Sequence, residues 1–404
     1  MTYRFPAVLC SRVSFRLSVR LVVSRVILRD STLYCFSHCP IRAYNVNVEQ
    51  VQVLFPYTLD KDGKFCEKMG GGRGLCWWTN GYWAGMLWIM YRNTGDARYK
   101  AAAERVEAEL DKAFDLFDDL HHDVGFMWLQ TAVSNYNLTG NPRSKSRGMH
   151  AAALLASRYN IRGEFIRAWN SWNDGRDMSG WAIIDCMMNI PILYWASRQM
   201  DDDRFRYIAQ KHADKVIGNF VRPDGSVHHI VRFDTQDGRF IEAFAGQGYA
   251  VGSSWTRGQA WAIYGFALSY AATKEQRYLE TSRNAADYFL ANLKDSMVPP
   301  CDFNSPKEPL YVDTSAGAIA AAGMVELAKY LPAAEKEKYI SGALGILRET
   351  AEKYCDWTQK TQAMVYMGTE AYSNGQNIPI IYSDYYFMEA LDSLRGNEIL
   401  YNIK

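Results

Sequence analysis

The chain has 404 residues, 48% of them hydrophobic and 14% aromatic, with 45 basic side chains against 44 acidic ones. Such a composition buries a large core and excludes a disordered or fibrous chain. The near-zero net charge offers no field for nucleic acid or an anionic membrane, and no stretch reaches the roughly 18 to 20 apolar residues that span a bilayer, so any acidic ligand is recognised locally.

Residues 1–40 carry six arginines and one acid, Asp30, with Arg12, Arg16, Arg20, Arg25 and Arg29 at nearly helical spacing. That pattern resembles an organellar transit peptide. The favoured reading is an extension from an upstream start codon, leaving residues 41–404 as the catalytic domain. Eight scattered cysteines show neither paired CxxC spacing nor the density of a disulfide-stapled domain, which points to a reduced, cytosolic setting. Cys35 and Cys39 flank His38, but no second ligand pair follows, so no structural zinc is expected.

A helix is expected near 46–57. Beyond residue 80 a hairpin recurs: an apolar helix, a short polar turn, then an amphipathic helix. The turns begin at Thr94, Thr139, Asp201, Thr273 and Ala333, about 45 to 75 residues apart. After each, apolar residues fall at i, i+3, i+4 and i+7, as one buried face requires. The preceding segments, 81–91, 126–136, 183–196, 258–271 and 315–331, are apolar nearly all round, and 382–394 supplies a sixth. Strand patterning is confined to loops such as SVHHIVRF at 226–233. Buried helices enclosed by amphipathic ones make an all-α, single-domain (α/α)6 barrel; the alternative is an open helical-repeat scaffold.

In such a barrel the six inner helices run the same way, and their N-terminal ends share one mouth. Those ends carry Trp77-Trp78-Thr79-Asn80, His121-His122-Asp123, Trp181 to Asp185, Trp255-Thr256-Arg257, Asp313-Thr314-Ser315 and Ser383-Asp384-Tyr385-Tyr386. Thr79, Asp313 and Ser383 read as helix caps. Capping leaves the tryptophans unexplained, and Trp169, Trp172 and Trp261 add to them; flat aromatic faces suit the C–H surface of a sugar. Converging helix N-termini favour a carboxylate ligand.

Asp185 lies among apolar residues, where burial raises a carboxyl pKa and makes a proton donor near neutral pH. The other reading is a structural acid bonded to a neighbouring loop. Asp123 precedes an inner helix beside Gly125, where a ligand could approach the backbone, or else it is an N-cap. Two carboxylates at one mouth match the pair of most glycoside hydrolases. His121-His122 and His228-His229 lack HExxH spacing, and adjacent histidines on a strand point to opposite faces, so no catalytic metal is expected. No GxSxG elbow occurs.

Seven ordered segments carry a resemblance: WWTNGYWAGMLW (77–88), HHDVGFMW (121–128), WAIIDCMMNIPILYWAS (181–197), PDGSVHHIVRF (223–233), GQGYAVGSSWTRGQAW (246–261), DTSAGAIAAAGMVELA (313–328) and YSDYYFMEAL (382–391). From Trp77 to Leu394 the chain resembles the unsaturated glucuronyl hydrolases of glycoside hydrolase family 88. The resemblance implies an (α/α)6 barrel without metal or organic cofactor, a monomer or weak homo-oligomer. Its substrate would be an unsaturated uronate oligosaccharide left by polysaccharide lyases, cut by hydrating the C4=C5 bond. It places the general acid/base on Asp185 and the partner that holds the ring hydroxyls on Asp123. Sugar contacts fall on Trp78, Trp169, His229, Gln247, Arg257 and Trp261. There are departures: Asn80 stands where an acid or serine is expected, 70–74 is short and glycine-rich, and the loop after Met367 lacks a Ser-x-x-Lys element, which tilts towards unsulfated substrates. The rivals are an unsaturated rhamnogalacturonyl hydrolase on the same fold and a non-catalytic sugar-binding barrel.

Overall fold

A computed structural model describes residue 48 and residues 51–69, 74–171, 175–358 and 360–403. Tyr44–Lys404 form one compact unit. Residues 1–40, with Cys35, His38 and Cys39, lie outside the described residues, as does Trp172.

Local chemistry sets the hairpins. Helix α1 (Tyr82–Thr94) stops because Gly95 takes φ 72°, donating its N–H to Tyr91, and Asp96 then caps α2 (Ala97–Leu110) by accepting from the Arg98 N–H at 2.9 Å. The next hairpin repeats the device. Its inner helix α3 runs Val124–Trp128, through a π-helical turn Leu129–Val133, into Ser134–Thr139. Gly140 (φ 73°) ends it, Asn141 caps the outer helix α4 (Pro142–Ser157), and the proline fills a first-turn position that has no use for an N–H. The remaining helices are α5 (Pro191–Met200), α6 (Arg204–Asn219), α7 (Thr256–Thr273), α8 (Gln276–Asn292), α9 (Thr314–Ala328), α10 (Ala333–Lys353) and α11 (Ile381–Leu394).

Helices α1, α3, α5, α7, α9 and α11 each pack against the next, and α11 returns to α1. The inner ring is therefore closed, which an open solenoid is not. Among the described residues, α2, α4, α6, α8 and α10 form the outer layer, each packed on the inner helix before it. Every residue of α9 is buried, and its small side chains allow close approach: a Cβ on Gly323 would stand 2.9 Å from that of Tyr264. Trp88, Trp128 and Trp195 are fully buried. Truncating any one to alanine costs about 3 to 5 kcal/mol.

The described strands lie in the segments that precede or connect the helices. Two short hairpins pair β1 (Thr58–Leu59) with β2 (Phe65–Cys66) and β3 (Tyr159–Asn160) with β4 (Phe165–Ile166). A three-stranded antiparallel sheet has the order β5 (Trp181–Ile183), β6 (Ile230–Phe233), β7 (Phe240–Phe244).

Two expectations need correction. Segment 183–196 is not one helix: β5 pairs with β6, Ile184–Met188 forms a 3-10 turn, and the α-helix begins only at Pro191. Residues 51–57 are not helical, and Tyr57 instead hydrogen-bonds Cys66 and Ile381 through its backbone. Residues 46, 47, 49 and 50 lie outside the description.

Candidate active site

The sheet sets the position of Asp185. Pairing of Ile183 with Ile230 holds the chain extended up to the 3-10 turn, and the Ile184 N–H donates to the His229 carbonyl at 3.0 Å. Asp185 is thereby fixed beside His229, whose Nε2 lies 3.9 Å from Asp185 Oδ1. The Asp185 side chain keeps 14% exposure, and its Oδ1 has no hydrogen-bond partner. Burial pushes its pKa up to about 7, while the nearby Arg257 charge pulls the other way. The structural-acid reading requires a bonded carboxyl; this one has a free oxygen.

Asp123 occupies the N-cap position of α3, yet its carboxylate caps nothing. It turns towards Asn189, whose Nδ2 donates to Asp123 Oδ1 at 3.1 Å and to the Asp185 carbonyl at 3.2 Å. Asn189 Oδ1 accepts the Phe126 N–H at 2.7 Å. One amide thus ties the two aspartate segments to the start of α3. Gly125 makes this possible, since a Cβ there would stand 2.4 Å from the Asn189 Cα and 2.6 Å from its Oδ1. The close approach at Gly125 is that of Asn189 and not of a ligand. Burial, reinforced by the Asp185 charge, holds the Asp123 carboxyl well above the usual carboxylate range.

His121 and His122 flank Asp123, with His121 Nδ1 3.3 Å from Oδ2 and His122 Nε2 3.1 Å from Oδ1. Burial lowers both pKa values, to about 3 for His121. The strand argument against paired histidines does not apply, because 121–123 form a turn in which the two rings lie 5.2 Å apart at 32°. Asp123 and these histidines offer ligand atoms all within 4.8 Å of one another.

Trp78 is half-buried, packed 5.0 Å from Tyr382 and 5.3 Å from Phe126. Trp169 stands edge-on to His122 at 5.7 Å. His229 packs on Trp255 at 4.0 Å, and its Nδ1 receives the Gln247 N–H at 3.0 Å. Gln247 also donates from Nε2 to the Glu370 carbonyl at 2.8 Å. Arg257 is 1% exposed, and its guanidinium donates to the carbonyls of Thr369 and Glu370, each at 2.6 Å, with Asp313 Oδ2 at 3.3 Å. Trp261 has no exposed surface and packs between Phe126 (5.1 Å) and Tyr386 (5.5 Å). Trp169 thus touches the turn that carries Asp123, and His229, with Gln247 bonded to it, stands beside Asp185, while Trp78 packs on Phe126 and the side chains of Arg257 and Trp261 are buried.

Of the three expected caps, only Asp313 acts as one, accepting from the Ser315 and Ala316 N–H groups. Thr79 Oγ1 and Ser383 Oγ have no hydrogen-bond partner. Asn80 faces away from the mouth, donating to the Gly74 and Leu75 carbonyls at 2.9 Å each. Sequence reasoning missed Asn189; its only signal was a polar side chain four residues after Asp185 in an apolar run.

No family model matches the chain. A curated relative, the unsaturated glucuronyl hydrolase of Bacillus sp. (strain GL1), is 35% identical over 352 residues, covering 85% of this chain and 92% of the relative. The unsaturated chondroitin disaccharide hydrolase of Streptococcus pyogenes serotype M1 is 31% identical, covering 87% and 88%. Among solved structures, the unsaturated glucuronyl hydrolase of Bacillus sp. GL1, described as responsible for degradation of glycosaminoglycan, superposes with a TM-score of 0.80 at 32% identity, covering 88% of this chain and 94% of the other. A mutant unsaturated glucuronyl hydrolase from Streptococcus agalactiae complexed with dGlcA-GalNAc6S gives 0.75 at 26% identity, covering 96% and 95%.

Proposed function

The chain belongs to the unsaturated glucuronyl hydrolases, and we propose that within their reaction Asp185 transfers the protons and Asp123 holds the sugar. The enzyme removes a 4,5-unsaturated uronic acid from the non-reducing end of lyase-generated oligosaccharides by hydrating the C4=C5 double bond.

One observation carries the assignment of Asp185: a buried carboxyl with an unbonded oxygen and a pKa of about 7 at the barrel mouth. Protonated, it delivers its proton to C4, and positive charge develops over C5 and the ring oxygen. The Asp185 carboxylate then takes a proton from the water that adds at C5, which restores the acid. The hemiketal at C5 opens to a ketone, the ring oxygen stays on C1, and C1 becomes an aldehyde as the neighbouring sugar leaves with its hydroxyl. Asp123, backed by Asn189, accepts hydrogen bonds from ring hydroxyls and stabilises the developing charge. Trp78 and Trp169 supply aromatic faces, and His229 and Gln247 supply polar contacts. Arg257, with its hydrogen bonds committed to Asp313 and the 369–370 backbone, acts through its charge on Asp185 and by holding that loop.

Unsulfated substrates are favoured, because the loop after Met367 lacks a Ser-x-x-Lys element and Lys68, which bonds that loop, is already paired with Glu370 at 2.5 Å. The described cysteines, Cys66, Cys76, Cys186, Cys301 and Cys355, are free thiols, which supports a reducing, cytosolic compartment. Among the described residues no helix is long and apolar enough to cross a membrane.

The test is a panel of unsaturated disaccharides from chondroitin, hyaluronan, heparin and pectin, followed by loss of the alkene's ultraviolet absorbance. Turnover is expected with unsulfated uronate disaccharides ahead of sulfated ones. Turnover of the rhamnose-linked pectin fragment alone would select the rhamnogalacturonyl reading, and no turnover at all would leave a non-catalytic sugar-binding barrel.

A further inference from the structure

The turn that carries Asp123 gathers three groups whose lone pairs converge, bridged to one another only by whatever proton the Asp123 carboxyl carries. Nδ1 of His122 lies 2.8 Å from the Ala168 carbonyl. A carbonyl only accepts, so the proton of the neutral ring sits on Nδ1 and Nε2 presents a lone pair. Nδ1 of His121 is the unprotonated nitrogen, since the Asp123 backbone N–H points to it, and at 3.5 Å that contact engages its one lone pair only weakly. Both nitrogens face the Asp123 carboxylate, at 3.1 and 3.3 Å. His122 is 1% exposed, and its Nε2 has no hydrogen-bond partner. Three convergent lone-pair groups, one of them buried with no partner but the Asp123 carboxyl, are held together by a positive charge, either a proton or a metal ion that displaces it.

From this geometry we propose that His121, His122 and Asp123 bind a divalent cation of the zinc class, and that the ion competes with the sugar for Asp123. Ligands about 2.0 to 2.1 Å from a tetrahedral ion stand about 3.3 Å apart, close to the 3.3 and 3.1 Å from the two histidines to the two carboxylate oxygens, and all three ligand atoms lie within 4.8 Å of one another. Two imidazoles and a carboxylate select zinc, cobalt, nickel or copper over magnesium and calcium, which prefer all-oxygen shells. The Ala168 carbonyl orients His122 from behind, as outer partners of metal-binding histidines do. A fourth position is left to water. The competition rests on the role proposed above for Asp123, since a carboxylate bound to a dication no longer accepts from ring hydroxyls; the binding itself does not.

Two measurements separate these parts. Cobalt(II) titrated into the full-length chain is followed by its visible d–d absorption, and zinc by calorimetry. One equivalent is expected to depend on the turn, with His121→Gln and His122→Gln each weakening it at least about tenfold, the scale of losing even an outer partner. Absence of saturable binding, or binding that both variants leave unchanged, overturns the site. Kinetically, zinc raises KM for the unsaturated disaccharide without changing kcat, while magnesium at the same concentration changes neither. Zinc bound at the turn but lowering kcat with KM unchanged overturns the competition. If no disaccharide is turned over, the cobalt titration still decides the site.

Discussion

Replacing Asp185 by asparagine should stabilise the protein while abolishing its activity, and the stabilisation should depend on pH. In the folded chain burial raises this carboxyl from 3.8 to about 7. Between those values the unfolded chain is ionised at this position and the folded chain is protonated. Stability therefore falls as pH rises from about 4 to about 7 and is constant above, where both states are ionised. A shift of about three units at about 1.4 kcal/mol each makes the full penalty about 4 kcal/mol. Asparagine fills the same volume without ionising, so the variant avoids the penalty. Urea denaturation of both proteins at pH 4, 5, 6, 7 and 8 reads the difference directly, because titrating groups that do not sense the Asp185 charge, as Asp123 does, cancel between them. The variant's advantage should grow with pH by about 4 kcal/mol and level off near pH 8. Turnover of the unsaturated disaccharide should fall by at least about a hundredfold, the scale of removing a general acid/base. A stability gap that does not vary with pH, or a near-normal rate, would refute the assignment of Asp185 as the buried proton donor.

Two further outcomes follow from the same geometry. Because the first step needs protonated Asp185, kcat/KM should decline tenfold per unit on the alkaline side of about pH 7, and a profile flat to pH 9 would remove that requirement. Gly125→Ala, which forces a Cβ to 2.4 Å from the Asn189 Cα, should cost about 1 to 3 kcal/mol in chemical denaturation and lower kcat/KM; a variant matching the parent in both would show that Asn189 can move without consequence.

The hairpins were legible because their chemistry is local. Gly95-Asp96 and Gly140-Asn141 stop one helix and start the next within three residues, and the surrounding periodicity reports a buried face. The run 181–196 was misread because a buried strand and a buried helix share the same unbroken apolar composition. What decides between them is pairing with Ile230, nearly fifty residues away. Asp123 and Asp185 could be found as acids in improbable places. Asn189 could not, since its partners Phe126 and Asp123 lie 63 and 66 residues earlier. The histidines beside Asp123 were set aside on strand geometry that a turn does not obey.

Arg257 and Gln247 both grip the loop after Met367 by its backbone oxygens, at Thr369 and Glu370, and not by its side chains. Carbonyls are the same whatever residue bears them. An exposed side chain such as Ser373 could therefore be exchanged without loosening the arginine that tunes Asp185, whereas Thr369, Glu370 and Asn377 are tied in by their own side chains. The backbone of this loop thus holds the arginine in place while its few exposed side chains are left free to vary. Variation at those exposed positions is then compatible with an unchanged Arg257 and so with an unchanged charge beside Asp185.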